Sequence, residues 1–68
     1  MPIIIYDLDL YRSISFNCSK VEAELRARGI NNAKCYLYPI DGKEQVAVEV
    51  PLGTSSDQVG ECVDMGYA

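Results

Sequence analysis

The chain has 68 residues, 49% hydrophobic and 24% charged, so it has room for one globular domain over 1–68 and lacks the bias of disordered or membrane-embedded sequences. Ten Asp and Glu against six Lys and Arg leave a net charge of −4, which disfavours direct contact with nucleic acid or an anionic membrane surface. No histidine is present, which excludes His-based metal sites, Ser–His and Cys–His nucleophile activation, and a histidine pH switch.

Ile3 to Leu10 (IIIYDLDL) predicts a strand, β-branched and aromatic at first and then strictly alternating. Ile4, Tyr6, Leu8 and Leu10 share one face, and Ile3, Ile5, Asp7 and Asp9 share the other, which the aspartates mark as the wet one. Ile14 and Phe16 keep the buried parity, so the strand is expected to run on or to return after a bend near Arg12-Ser13. Ser19-Lys-Val-Glu22 fits a capping box opening a helix of about ten residues. Gly29 stands at its left-handed C′ position with Ile30 after it. Cys18, Val21 and Leu25 form the apolar stripe, and Glu22–Arg26 and Glu24–Arg28 are favourably oriented i,i+4 pairs.

Ala33 to Leu52 reads as a β-hairpin around Asp41-Gly42, the dipeptide of a type I′ turn. With Ile40 opposite Lys43, Leu37 meets Val46, Cys35 meets Val48 and Ala33 meets Val50 on one face. The other face pairs Tyr38 with Gln45, Tyr36 with Ala47 and Lys34 with Glu49. A slip of one residue would scramble both faces, so the pattern supports this register. Pro39, without an N–H, suits an edge strand. Thr54 or Ser55 caps a second helix that Gly66 stops. In it Val59, Cys62 and Val63 face inward and Asp57, Glu61 and Asp64 outward, with Gly60 expected to permit close packing on the sheet.

The order β-α-β-β-α predicts an α+β fold of two layers, a three-stranded mixed sheet of order 1-3-2 with both helices on one face. In topology it resembles a truncated ferredoxin-like split β-α-β arrangement whose final strand is missing. The first strand then becomes an edge that invites another strand, unless Tyr11–Phe16 folds back to cover it.

The chemistry-bearing residues point away from catalysis. Asp7 and Asp9 end a hydrophobic strand in D-x-D, which resembles the nucleophile strand of haloacid-dehalogenase-type phosphatases. That chemistry needs a doubly wound domain, which 68 residues cannot build. Cys18, Cys35 and Cys62 are odd in number, widely spaced and without C-x-x-C, so they read as small buried hydrophobes rather than disulfide or zinc partners. Cys18 before a helix start could favour a thiolate but lacks a base, and Asp57, Glu61 and Asp64 lie along a stripe rather than around an ion. No catalytic residue, metal or cofactor is expected. The apolar run at 3–5 is broken by Asp7 and Asp9 far short of a signal or spanning segment, and with reduced cysteines this places the chain in the cytoplasm.

Two surfaces are candidates for binding. One is the uncovered sheet face carrying Ile3, Ile5, Tyr36, Tyr38 and Ala47, where tyrosines favour a protein partner and the acidic neighbours disfavour RNA. The other is the acidic stripe Asp57, Glu61 and Asp64. Residues 1–40 carry +1 and residues 41–68 carry −5, so the stripe is expected to lack internal neutralisation and to meet a basic surface. The composite expectation is a small acidic, non-enzymatic protein-binding module that docks on a basic, nucleic-acid-handling protein. Small acidic domains of this general class include phage- or mobile-element-encoded inhibitors, anti-CRISPR proteins among them. The alternative is a homo-oligomeric structural or accessory subunit, such as a homodimer, assembled through the first strand's edge.

Overall fold

A computed structural model, describing residues 2–8 and 15–67, gives the element order β1 (Ile3–Asp7), α1 (Cys18–Ala27), β2 (Lys34–Leu37), β3 (Gln45–Glu49) and α2 (Ser56–Met65). The sheet order is β1-β3-β2. Both ladders are antiparallel, so the sheet is antiparallel rather than mixed: β1 and β2 run the same way but never pair, because β3 lies between them. The hairpin has the register read from the sequence: Lys34 opposite Glu49, Cys35 opposite Val48, Tyr36 opposite Ala47 and Leu37 opposite Val46. Asp41 and Gly42 have φ of 52° and 76°, the left-handed pair a type I′ turn demands, and Ile40 and Lys43 exchange backbone hydrogen bonds of 3.1 and 2.9 Å across it.

The core lies between the sheet and the helices. Val46, Val48 and Val50 of the central strand region meet Val21 and Leu25 of α1 and Val59, Cys62 and Val63 of α2, all buried. Along β1 the inward Ile4 and Tyr6 are half-buried while Ile3, Ile5 and Asp7 are exposed, as the alternation requires. The hairpin projects past the helix layer, so every residue from 36 to 44 is exposed, and Leu37, though on the inward parity, lies in the open. Leu10, Asp9 and Ile14, and most of the Tyr11–Phe16 segment considered as a cover for β1, lie outside the described residues.

The helix ends required correction. The N-cap of α1 is Asn17, whose Oδ1 accepts from the Ser19 N–H at 2.9 Å, so Ser19 is not the cap and no capping box forms. Asparagine caps as well as serine does. Phe16 at N′ and Val21 at N4 also converge on Gly66, the arrangement of a hydrophobic staple, which favours the earlier start. Glu22 instead reaches the Cys35 N–H at 2.8 Å, so its expected pair with Arg26 is not made. At the other end, Ile30 donates to Leu25 O at 2.9 Å and Gly29 to Arg26 O at 3.0 Å, a Schellman motif with Gly29 at φ 83°.

Ser55 is the cap of α2, its Oγ 3.5 Å from the Gln58 nitrogen. Gly66 ends the helix with φ −68°, so its role is spatial: a Cβ there would stand 2.7 Å from both Phe16 Cε2 and Val21 Cγ2. Around it Asn17 N–H donates to Gly66 O at 2.8 Å and the Phe16 and Tyr67 rings meet edge to face at 5.0 Å, clasping the start of α1 to the end of α2. Gly60, in contrast, is not a close-packing device. A Cβ would meet Tyr6 at 3.9 Å, an ordinary contact.

Opposite stability effects are expected at the glycines. Gly42→Val forces a β-branched residue to φ 76° and should cost roughly 1–3 kcal/mol. Gly60→Ala should add about 0.5–1 kcal/mol, raising Tm by several degrees, because it removes backbone entropy without a clash. Thermal melts of the two variants check both signs.

Candidate functional site

With both helices over one face, no helix or strand among the described residues covers the opposite face of the sheet, and the register arranges it in three cross-strand rows. Ile5, Ala47 and Tyr36 form the middle row, Ile3, Glu49 and Lys34 one flanking row, and Asp7, Gln45 and Tyr38 the other. Ala47 is only 1% exposed, although neither α1 nor α2 covers it, because Ile5 and Tyr36 stand on either side of its methyl group. Ile3, Ile5 and Tyr38 remain 52%, 46% and 43% exposed, and with Tyr36 they enclose a shallow apolar hollow of about 210 Å³. The rim is polar: Gln45 Nε2 donates to Asp7 Oδ1 at 2.8 Å, and partial desolvation, then the Glu49 carboxylate, pushes the Tyr36 phenol above its ordinary pKa. The sequence-derived set Ile3, Ile5, Tyr36 and Tyr38 is therefore brought together on one surface.

The edge of β1 adjoins this face. Val50 N–H donates to Pro2 O and Leu8 N–H to Glu44 O, each at 3.1 Å, so the even-numbered residues bond to β3. By antiparallel alternation, the N–H and C=O groups of Ile3, Ile5 and Asp7 point away from the sheet, where no strand among the described residues pairs with them. The β2 edge differs, because there Glu22 already occupies the outward N–H of Cys35.

On the helix side of β1 runs a groove of about 550 Å³, floored by Ile4 and Tyr6 and walled by Ser56, Asp57, Gly60 and Asp64 of α2. Tyr6 Oη donates to Ser56 O at 3.3 Å, and burial, then Asp57, pushes its phenol above the ordinary value. Sequence reasoning placed Tyr6 in the core. Its length carries the hydroxyl past the apolar layer to the start of α2, which parity alone does not convey.

The acidic stripe is exposed as expected, but it has internal neutralisation. Arg28 Nη1 binds Glu61 Oε1 at 2.9 Å while its Nε binds Glu24 at 3.2 Å, which draws Glu61 toward α1 and leaves Asp57 and Asp64 as the members without an ion pair among the described residues. Leu52, 90% exposed, was missed. It precedes Gly53 (φ 91°) in a turn closed by Thr54 N–H to Pro51 O.

Among the described residues no group of His, Cys, Asp or Glu could hold a metal ion, and Asp9 lies outside them. The three cysteines are free thiols, Cys35 and Cys62 buried and Cys18 half-buried. Burial, and next the Cys18 thiol, pushes Cys35 far up, and burial raises Cys62 against the opposing charge of Arg28. No helix among the described residues is long and apolar enough to cross a membrane. Comparison with protein-family models, with curated proteins and with solved structures finds no match to this chain.

The raised thiols set an alkaline limit on stability. Their folded pKa values lie above the ordinary 9.0, so the folded state holds protons that the unfolded state releases. This contribution is intact below about pH 9 and is lost as pH rises beyond it. Tm should therefore fall steadily above about pH 9, and less steeply in Cys35→Ala. Iodoacetamide at neutral pH should modify Cys18 first, with Cys35 and Cys62 following only on unfolding.

Proposed function

We propose that this chain is a small, acidic, non-enzymatic module that docks on another protein through its helix-free sheet face. The observation that carries the reading is the contiguous apolar surface of Ile3, Ile5, Tyr36 and Tyr38 around a buried Ala47, framed by Asp7, Gln45, Glu49 and Lys34. An apolar centre rich in tyrosine with a polar rim is the anatomy of protein interfaces, and such a patch on a monomer is more often used than idle. The excess of −5 over residues 41–68 favours a basic partner such as the cationic surface of a nucleic-acid-handling protein. Inhibitors encoded by phages or mobile elements, anti-CRISPR proteins among them, are the class of docking protein we propose, acting in the cytoplasm. The three free thiols are compatible with that compartment.

Capture with the chain and with a Tyr36→Thr/Tyr38→Thr variant tests the reading, since threonine keeps β propensity at both surface positions. A basic protein should be held in 1:1 ratio, released by added salt, and bound on the order of thirtyfold more weakly by the variant. Undiminished capture by a folded variant would overturn the proposal. A stable dimer in light scattering, unaffected by either tyrosine, would favour self-assembly through β1 instead.

A further inference from the structure

The groove beside β1 and the edge of β1 that no strand among the described residues pairs with are one structure seen from two sides. Ile4 and Tyr6 floor the groove, and the backbone groups of Ile3, Ile5 and Asp7, which alternate with them, point outward along its lip. A strand laid along that lip would alternate its side chains. One set would project to the helix side, against Asp57 and Asp64. The other would project to the bare face, beside Ile3 and Ile5.

Resting on the docking reading, we infer that β1 is a strand acceptor whose occupant is an extended segment of the partner with basic residues alternating with apolar ones. The charge of the groove chooses this occupant over a second copy of the chain. Two β1 strands paired across a two-fold axis would bring the α2 walls together, setting Asp57 and Asp64 of one copy near the same carboxylates of the other. A cationic segment meets those carboxylates favourably, while its backbone completes the sheet. The β2 edge cannot compete equally, because its Cys35 N–H is already taken by Glu22 at 2.8 Å. Asp57 also stands in the first turn of α2, and Arg28 pairs with Glu61, so among the carboxylates that line the groove Asp7, Asp57 and Asp64 carry negative charge without an ion pair among the described residues.

The test titrates the isotopically labelled chain with a capped, alternating lysine–valine octapeptide. Amide shifts should move along β1 and α2, and the Ile3, Ile5 and Asp7 amides should gain protection from hydrogen exchange. A glutamate–valine octapeptide should not bind. N-methylation of one alternate set of peptide amides should abolish binding while methylation of the other set is tolerated, since a strand added at an edge pairs through one side only. Asp57→Asn/Asp64→Asn should weaken binding about fivefold while the free protein stays folded, with only the small drop in Tm expected from losing a first-turn carboxylate of α2. Equal binding of both methylated peptides, or of the acidic one, would overturn the inference. So would shifts confined to Tyr36, Tyr38 and Ala47, although the docking reading would then survive. Protection of the β1 amides in the peptide-free chain with the mass of a dimer would assign the edge to a second copy. No perturbation at all would remove the strand acceptor, leaving the tyrosine variant to decide on docking itself.

Discussion

The fold rests on the burial of one strand. Val46 and Val48 of β3 and Val50 just beyond it are at most 1% exposed, and each contributes roughly 1.5 kcal/mol or more through apolar area removed from water. Because β3 is central, both of its edges are used, antiparallel to β1 on one side and β2 on the other. Its valines all point the same way, so both helices must gather on that side. Each has ten residues, about 15 Å of length, and together they roof most of one face of the three-stranded sheet, leaving Leu37 uncovered where the hairpin runs on.

The bare face follows from that constraint. Ala47 occupies its centre, and a methyl group there lets Ile5 and Tyr36 close over it from the two flanking strands. A larger residue at 47 would have stood up between them. The helix layer, by comparison, is tied together by short-range contacts away from this face: the clasp of Phe16 and Asn17 on Gly66 and Tyr67, and the Arg28 bridge from Glu24 to Glu61. The surfaces offered for binding therefore sit on a sheet whose geometry is fixed from the other side. A partner would meet a preformed face and edge, which limits the ordering cost of association.

The hairpin was legible because two independent signals agree. Asp41-Gly42 specifies the turn, and only one register then gives apolar pairs on one face with Lys34 opposite Glu49 on the other. The Gly29 cap and the inward set Val59, Cys62 and Val63 were legible for similarly local reasons. Errors arose where a side chain had a choice of partner. Glu22 can cap its own helix, pair with Arg26 or reach across to β2, and its proximity to an unpaired edge N–H decides for the last. Glu61 reads as one of three equivalent carboxylates until Arg28, 33 residues earlier, arrives beside it. Gly66 stops α2 as the sequence indicates, but its φ is ordinary, and the crowding of Phe16 and Val21 is what explains the glycine.

The sequence by itself determined the element order, the register of the hairpin, the burial parity of each strand and the tyrosine-bearing composition of the outward face. These depend on periods of two and 3.6 residues and on turn chemistry, all of which act over a few positions along the chain. Tertiary structure alone decided that the outer edge of β1 and the acidic side of α2 border one groove, and that Arg28 neutralises one carboxylate of that helix and not its neighbours. The α2 helix and β1 are separated by nearly the whole chain, and no local pattern encodes how two such distant elements face each other once the valines of β3 have drawn them to the same side.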